Sequence, residues 1–321
     1  MATARLSLLS LAPWLITLGC LLARTTQAGA TPVSWDVLAP GLEVARLELA
    51  VRSGLVDAAG PTADIAPDSA TDPLSDPDSQ TATLAELFVL RIDPAHWQLE
   101  LATRSEGALE EGRTAREWAE AEGFVATINA GMYATDYVTN VGYLHAGDHV
   151  NNGRVNAYES VAAFGLASDV PENLLESAGA TNLPEFHIFD LDDPDVSMAR
   201  IRSQYEHVVQ NLRLIKRPGE NRWNQQPKRW CEAALGEDAE GRCLFLYCRA
   251  PLSMYDLNEA LLSAGIGLVA AQHLDGGPPS QLFVRMGDTE VEFVGGAEVS
   301  RADGTAWLNR RIPNVIGVRP R

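Results

Sequence analysis

The sequence is short of positive charge. Lysine and arginine total 25 against 43 acidic residues in 321, a formal net charge of −18. Such an imbalance keeps a protein soluble and opposes binding to nucleic acid or anionic lipid. It still permits an anionic small substrate, because a few local cations can make a positive pocket. Cysteine is scarce as well: Cys20, Cys231, Cys243 and Cys248. The last three allow at most one internal disulfide. After the first thirty residues no long apolar run occurs, so no later membrane span is expected. Neither a phosphate-binding P-loop nor a serine-nucleophile elbow is present, and no internal repeat is visible.

Residues 1–30 carry Arg5, an apolar run from Leu6 to Leu22 and the small-residue pattern Ala28-Gly29-Ala30. This reads as a secretory signal peptide, so the protein is expected to be secreted or periplasmic. Loss of Arg5 and Arg24 would take the net charge to −20. A membrane anchor is the plainer alternative, disfavoured by Pro13 within the run. A lipid anchor on Cys20 fits less well, because Leu21 and Leu22 continue the run past it.

Residues 31–52 hold a strand candidate, Val44–Val51, read as an early strand of the main domain. Ser53–Thr83 is rich in Pro, Asp, Ser, Ala and Thr and has no aromatic residue. Such a stretch cannot bury enough apolar surface to offset its ordering entropy and is predicted to be a disordered acidic loop. The main domain then runs over residues 84–321. Strands are predicted at Leu87–Ile92, Trp97–Ala102, Phe124–Ile128, Val208–Ile215, Trp230–Leu235, Cys243–Arg249, Ile266–Leu274, Gln281–Arg285, Glu290–Val294 and Asn314–Val318. Asn140–His149 suggests a hairpin turning at Gly147-Asp148. Helices are expected over Thr114–Glu122, stopped by Gly123, and after Ser253 with Asp256 as a capping box, ended by Gly265. Residues 169–198 read as an acidic loop. The fold class is α+β: a single strand-rich mixed-sheet domain with a few helices.

Three apolar strands end in polar turns. The first is Asn129-Ala130-Gly131, an amide beside a backbone that a ligand can approach closely. The second is Asp275-Gly276-Gly277-Pro278-Pro279-Ser280, a carboxylate followed by glycines whose N–H groups could hold an oxyanion or a sugar hydroxyl. The third is Lys228-Arg229-Trp230-Cys231-Glu232, where Glu232 precedes two alanines; burial would raise its pKa and suit it to general-acid work. Each segment alone also reads as an ordinary turn or edge. If the turn after Trp230–Leu235 is symmetric, pairing 236 with 243 places Cys231 opposite Cys248, which either form a disulfide or stay buried thiols. The acidic run Asp190, Asp192, Asp193 and Asp195 could hold calcium, but it lacks an EF-hand's glycine and distal glutamate, so a solvated loop is favoured. His145 and His149 stand four apart across a turn without a zinc-site pattern. No metal or cofactor is expected.

In order, the segments INAGMY (128–133), NVGYLHAGDHVNN (140–152), QNLRLI (210–215), RWCEAALG (229–236), LFLYCRAPLSMYDL (244–257), HLDGGPPSQLF (273–283) and IPNVIG (312–317) resemble the phosphodiester glycosidase family, bacterial members above all. Pro278 and Pro279 here intervene before Ser280, and Trp230 follows Arg229 where the family usually shows Thr or Ser. The resemblance implies hydrolysis of a sugar-1-phosphodiester at the anomeric carbon, in a glycan or envelope polymer. It implies Asp275 as base or nucleophile, Arg229 on the phosphate and Asn129 orienting the sugar. Gly276 and Gly277 would supply backbone donors, Gly131 and Ser280 would also bind the substrate, and Glu232 is the reserve acid. The alternatives are a non-catalytic glycan-binding envelope protein using the same pocket and, further off, a calcium-dependent adhesion module.

Overall fold

The computed structural model describes residues 32–51, 83–168, 183–295 and 311–321. The expected signal peptide and the acidic loop up to residue 82 lie outside the described residues, as do 169–182 of the second acidic stretch. No helix among the described residues is long and apolar enough to cross a membrane.

Three sheets carry the fold. The large one has eight strands in the order β1 (Asp36–Ala39), β2 (Leu42–Val51), β3 (Thr83–Ile92), β14 (Cys243–Leu252), β13 (Trp230–Asp238), β15 (Leu268–Gly276), β11 (Arg213–Lys216) and β12 (Glu220–Asn221). The second runs β7 (His149–Asn152), β6 (Leu144–Ala146), β10 (Tyr205–Asn211), β8 (Ser160–Leu166) and β9 (Phe186–Asp190). The third runs β17 (Thr289–Val294), β16 (Gln281–Met286), β5 (Ala126–Asn129), β18 (Asn314–Pro320) and β4 (Trp97–Thr103). The described helices are α1 (Ala115–Glu122), α2 (Met198–Gln204) and α3 (Met254–Ser263).

The expectation of mixed sheets is corrected. Every strand pairing among the described residues is antiparallel, and the domain is mostly β. Runs such as Leu87–Leu90 and Leu244–Cys248 are apolar without alternation because the large sheet is covered on both faces. One face meets the other two sheets through Phe88, Leu90, Leu235 and Phe245 against Leu99, Ile128, Phe164 and Leu282. The other packs Leu87, Val89, Ala234 and Leu246 on Leu257 and Leu261 of α3.

Local signals explain the element ends. Thr114 Oγ accepts from Glu117 N at 3.2 Å while the Glu117 carboxylate accepts from Thr114 N at 2.9 Å, and Gly123 closes α1 at φ 73°. Ser253 Oγ accepts from Asp256 N, giving α3 its start. The β6–β7 hairpin turns at Gly147 with φ 54°.

Other expectations shift. Val208–Ile215 is two strands in two sheets: the chain leaves β10, and Leu212, whose carbonyl accepts from His273 N at 2.8 Å, marks the passage to β11. Phe186–Asp190 forms β9 inside the stretch read as loop. The disulfide is also corrected: Cys231, Cys243 and Cys248 are free thiols. The Asp238 carboxylate takes the N–H groups of Glu240 and Arg242, which tightens the turn and pairs Glu237 with Cys243. That one-residue difference sets Glu232, not Cys231, opposite Cys248. Cys231 then faces Ser280, its Sγ 3.5 Å from the hydroxyl oxygen, while Cys248 packs towards α3.

Candidate functional site

β13 and β15 run side by side, Ala234 opposite His273 and Ala233 opposite Asp275, with a register shift between the two pairs. Glu232 and His273, 2% and 4% exposed, meet through a hydrogen bond between Oε1 and Nδ1. The second carboxylate oxygen accepts from the Trp230 indole N–H at 2.7 Å. Burial pushes the Glu232 carboxyl above its ordinary range, and the His273 charge and both hydrogen bonds only partly oppose this. Burial also works against the His273 imidazolium, but the Glu232 carboxylate outweighs it, with Asp275 adding in the same direction, so His273 is held above the usual imidazole value. Asp275 follows at the end of β15, half-buried, its Oδ1 accepting from Gly276 N at 2.8 Å.

The glycine turn folds back from this pair. The Trp230 ring covers Gly276 so closely that a Cβ there would lie 2.1 Å from it. Gly277 sits at φ 69°, where a side chain is strained. Gly277 N donates to Cys231 O at 2.9 Å, and both the amide and hydroxyl of Ser280 return to Gly277 O at 3.0 and 2.7 Å. Asn129, at the end of β5 and 1% exposed, clamps the far side: its Nδ2 donates to Pro279 O at 2.7 Å and its Oδ1 accepts from Gln281 N at 2.6 Å. The N–H groups of both glycines and both ends of the Asn129 amide are thus bonded within the protein. Gly131 is glycine for contact reasons, since a Cβ would lie 2.3 Å from Asn211 Oδ1 and 2.9 Å from Asn140 Oδ1.

Arg229 reaches the other way, to α3. Its NH1 lies 3.1 Å from Oδ2 of the buried Asp256, while 31% of the arginine side chain stays exposed. Asp256 Oδ1 accepts from Gln225 Nε2 at 2.6 Å. Gln225 lines a cleft of about 450 Å³ together with Tyr158, Leu212, Arg213 and Trp223. Since Leu212 O bonds His273 N, the cleft adjoins the buried pair.

The predicted residues therefore fall into three linked groups. Glu232 and Gly276 gather around Trp230 and His273, with Asp275 next to them. Asn129, Gly277 and Ser280 close the turn. Arg229 stands with Asp256, and Gly131 lies on the loop after Asn129. His273 and Trp230 were not singled out from the sequence; the register shift between the Ala234–His273 and Ala233–Asp275 pairs breaks the alternation there, so the two-residue spacing of His273 and Asp275 does not put them on one strand face. The acidic run is partly neutralised: Asp190 and Asp192 pair with Arg213, and Asp192 also with Lys216. His145 bonds Tyr143 and the Tyr205 carbonyl.

The sequence pattern of the family described as phosphodiester glycosidase matches residues 122–319, well over half of the chain. No curated protein matches. Among solved structures, the chain is similar to the catalytic domain of zebrafish N-acetylglucosamine-1-phosphodiester alpha-N-acetylglucosaminidase, auto-inhibited by pro-peptide. The TM-score is 0.57 and the identity 11%, over 91% of this chain and 87% of that one, a likeness of fold. A hypothetical protein from Synechocystis matches with TM-score 0.49 and 11% identity over 91% and 64% of the two chains. A protein from Burkholderia pseudomallei described as exported matches with TM-score 0.44 and 14% identity over 75% of each.

Proposed function

The chain belongs to the phosphodiester glycosidase family, and from that premise we propose that it is an exported hydrolase that cleaves a sugar-1-phosphodiester in a glycan or envelope polymer. The observation that carries this reading is the buried Glu232–His273 pair set beside Asp275, where β15 breaks into the glycine turn. Phosphate leaves readily, so the reaction depends less on protonating the leaving group than on a carboxylate near the developing oxocarbenium. Asp275, half-buried at the strand end, is the base or nucleophile. A charged His273 offsets the two carboxylates beside it, and Glu232 is the reserve acid. Arg229, fixed by Asp256 with part of its side chain exposed, contacts the phosphate. Asn129 and Ser280 act by holding the turn, Gly277 leaves open space beside it, and Gly131 and Gly276 let the Asn211 and Trp230 side chains close on the backbone that shapes the pocket.

The test is a panel of synthetic sugar-1-phosphodiesters. The wild-type protein should release free sugar, and Asp275→Asn should lose turnover by about a hundredfold or more with an unchanged circular dichroism spectrum. Full activity in that variant would refute the assignment. A glycan-binding envelope protein is the second reading, favoured by the engagement of both glycine N–H groups inside the turn. A binder would titrate the same panel without releasing sugar.

A further inference from the structure

Tyr137 is one of two non-glycine residues among those described that hold a positive φ, at 57°. An aromatic residue in the left-handed region is strained and persists only where its surroundings over-determine it. They do so here. The Asp136 carboxylate accepts from Val138 N, Thr139 N and the Thr139 hydroxyl at 2.9, 2.9 and 2.6 Å. Tyr137 N donates to Ala134 O, and Ala134 N to Thr139 O. Arg104 reaches in from the end of β4, donating to Tyr137 O at 3.0 Å and to the carbonyls of Leu109 and Glu110. Asn151 and Asn314 both donate to Val138 O. Three separate segments thus grip a six-residue turn, yet Tyr137 itself is 51% exposed.

A clamp of this kind adds little to the core, because the tyrosine it presents stays half exposed. We propose that Tyr137 is a stacking platform for a neutral sugar unit, lying on the loop that also carries Gly131 and Asn140. The occupant follows from its size and surroundings. A single exposed ring on a turn that also carries Asp136 and Thr139, with the Tyr133 ring centroid 5.7 Å away, matches one pyranose, whose C–H face is apolar and whose rim is hydroxylated. It is too small an apolar area for a protein partner. Placement on the 129–143 loop joins it to the proposed site: Tyr133 bridges to Asn140, whose side-chain oxygen crowds Gly131. The inference rests on the proposed carbohydrate substrate for its choice of ligand, not on hydrolysis.

The experiment is titration of the intact protein with cello-, malto- and chitotetraose, followed by isothermal calorimetry and by the NMR shifts of the sugar C–H protons. These probes carry no phosphodiester. At least one should bind the wild type, with upfield shifts from ring stacking. Tyr137→Ala should weaken it by roughly three- to tenfold and abolish those shifts, while Tyr137→Trp retains both. Tyr137→Gly should also lose binding but melt at a higher temperature than Tyr137→Ala, since glycine alone relieves the strain. Binding unchanged in Tyr137→Ala overturns the proposal, as does failure of all three sugars to bind the wild type. Tyr137-dependent binding without hydrolysis of any diester would leave the platform standing and remove the hydrolase reading. Hydrolysis with Tyr137-independent sugar binding would do the reverse.

Discussion

The imidazole of His273 and the carboxylate of Glu232 face each other across β15 and β13, both shut off from solvent, with the Trp230 indole closing the remaining side of the acid. Removing one charge from such a pair leaves the other buried without compensation. Glu232→Leu should destabilise the protein by about 3–5 kcal/mol in urea unfolding, and the double variant Glu232→Leu/His273→Leu by less than the sum of the single changes. Additive losses would mean that the two groups do not act as a pair.

Asn129 ties the end of β5 to the turn that leads into β16 through one amide. Asn129→Ala leaves Pro279 O and Gln281 N buried without partners, at a cost of about 2–4 kcal/mol. Asn129→Asp keeps the acceptor for Gln281 N but sets a buried carboxylate against Pro279 O in place of the donor, and should be the least stable of the three at neutral pH. Thermal melts of the three proteins rank them directly.

Neighbouring glycines should respond to alanine for different reasons. At Gly276 a methyl group would collide with the Trp230 ring, so Gly276→Ala should displace the indole, shift the tryptophan emission and cost more than about 2 kcal/mol. At Gly277 nothing lies within 4 Å, and only the φ of 69° opposes a side chain. Gly277→Ala should cost about 1 kcal/mol with the emission unchanged.

His207 lies among the residues of a cavity of about 750 Å³, and burial, aided slightly by His145, pushes its pKa down to about 4. An imidazole depressed in the folded state contributes nothing to the pH dependence above its unfolded value of 6.5 and loses stability as the pH falls towards 4. The wild type should therefore lose about 2–3 kcal/mol over that interval that His207→Gln does not lose. Denaturant midpoints measured at pH 7 and pH 4.5 for both proteins decide it.

The three described thiols should differ in reactivity. Burial pushes Cys248 up to about 12 and Cys243 well above its ordinary value, whereas Cys231 is half-buried beside the glycine turn. Iodoacetamide on the native protein should modify Cys231 alone among them, as peptide mass spectrometry would show, with the other two reacting after unfolding.

How far the site could be read from sequence follows from where the information sits. Thr114, Gly123, Ser253 and Gly147 announce local events, caps and a turn, and the structure uses them there. Asp275-Gly276-Gly277 was visible as a turn, and Glu232 as an acid among alanines. What brings Glu232 to His273 is the β13–β15 register with its one-residue shift, and no local pattern encodes that. The same gap separates Cys231 from Cys248 by one position, because the Asp238 side chain tightens the turn on which a symmetric pairing depends. Leu212 was invisible as a boundary, since strands on either side of it are equally apolar while belonging to different sheets. Tyr137 carried no signal at all, because a tyrosine is not the residue from which a left-handed conformation is expected.

The ledge that carries Asn129 is flanked by β18, which lies between β5 and β4 although it is made from Asn314–Pro320. A growing polypeptide can therefore pair β5 with β16 and close the Asn129 clamp once Gln281 is available, but the other edge of β5 stays unpaired until Asn314–Pro320 has been made. A message cut short before that segment should yield chains in which β4 lacks its β18 partner and β5 keeps an open edge, ready to pair with another chain.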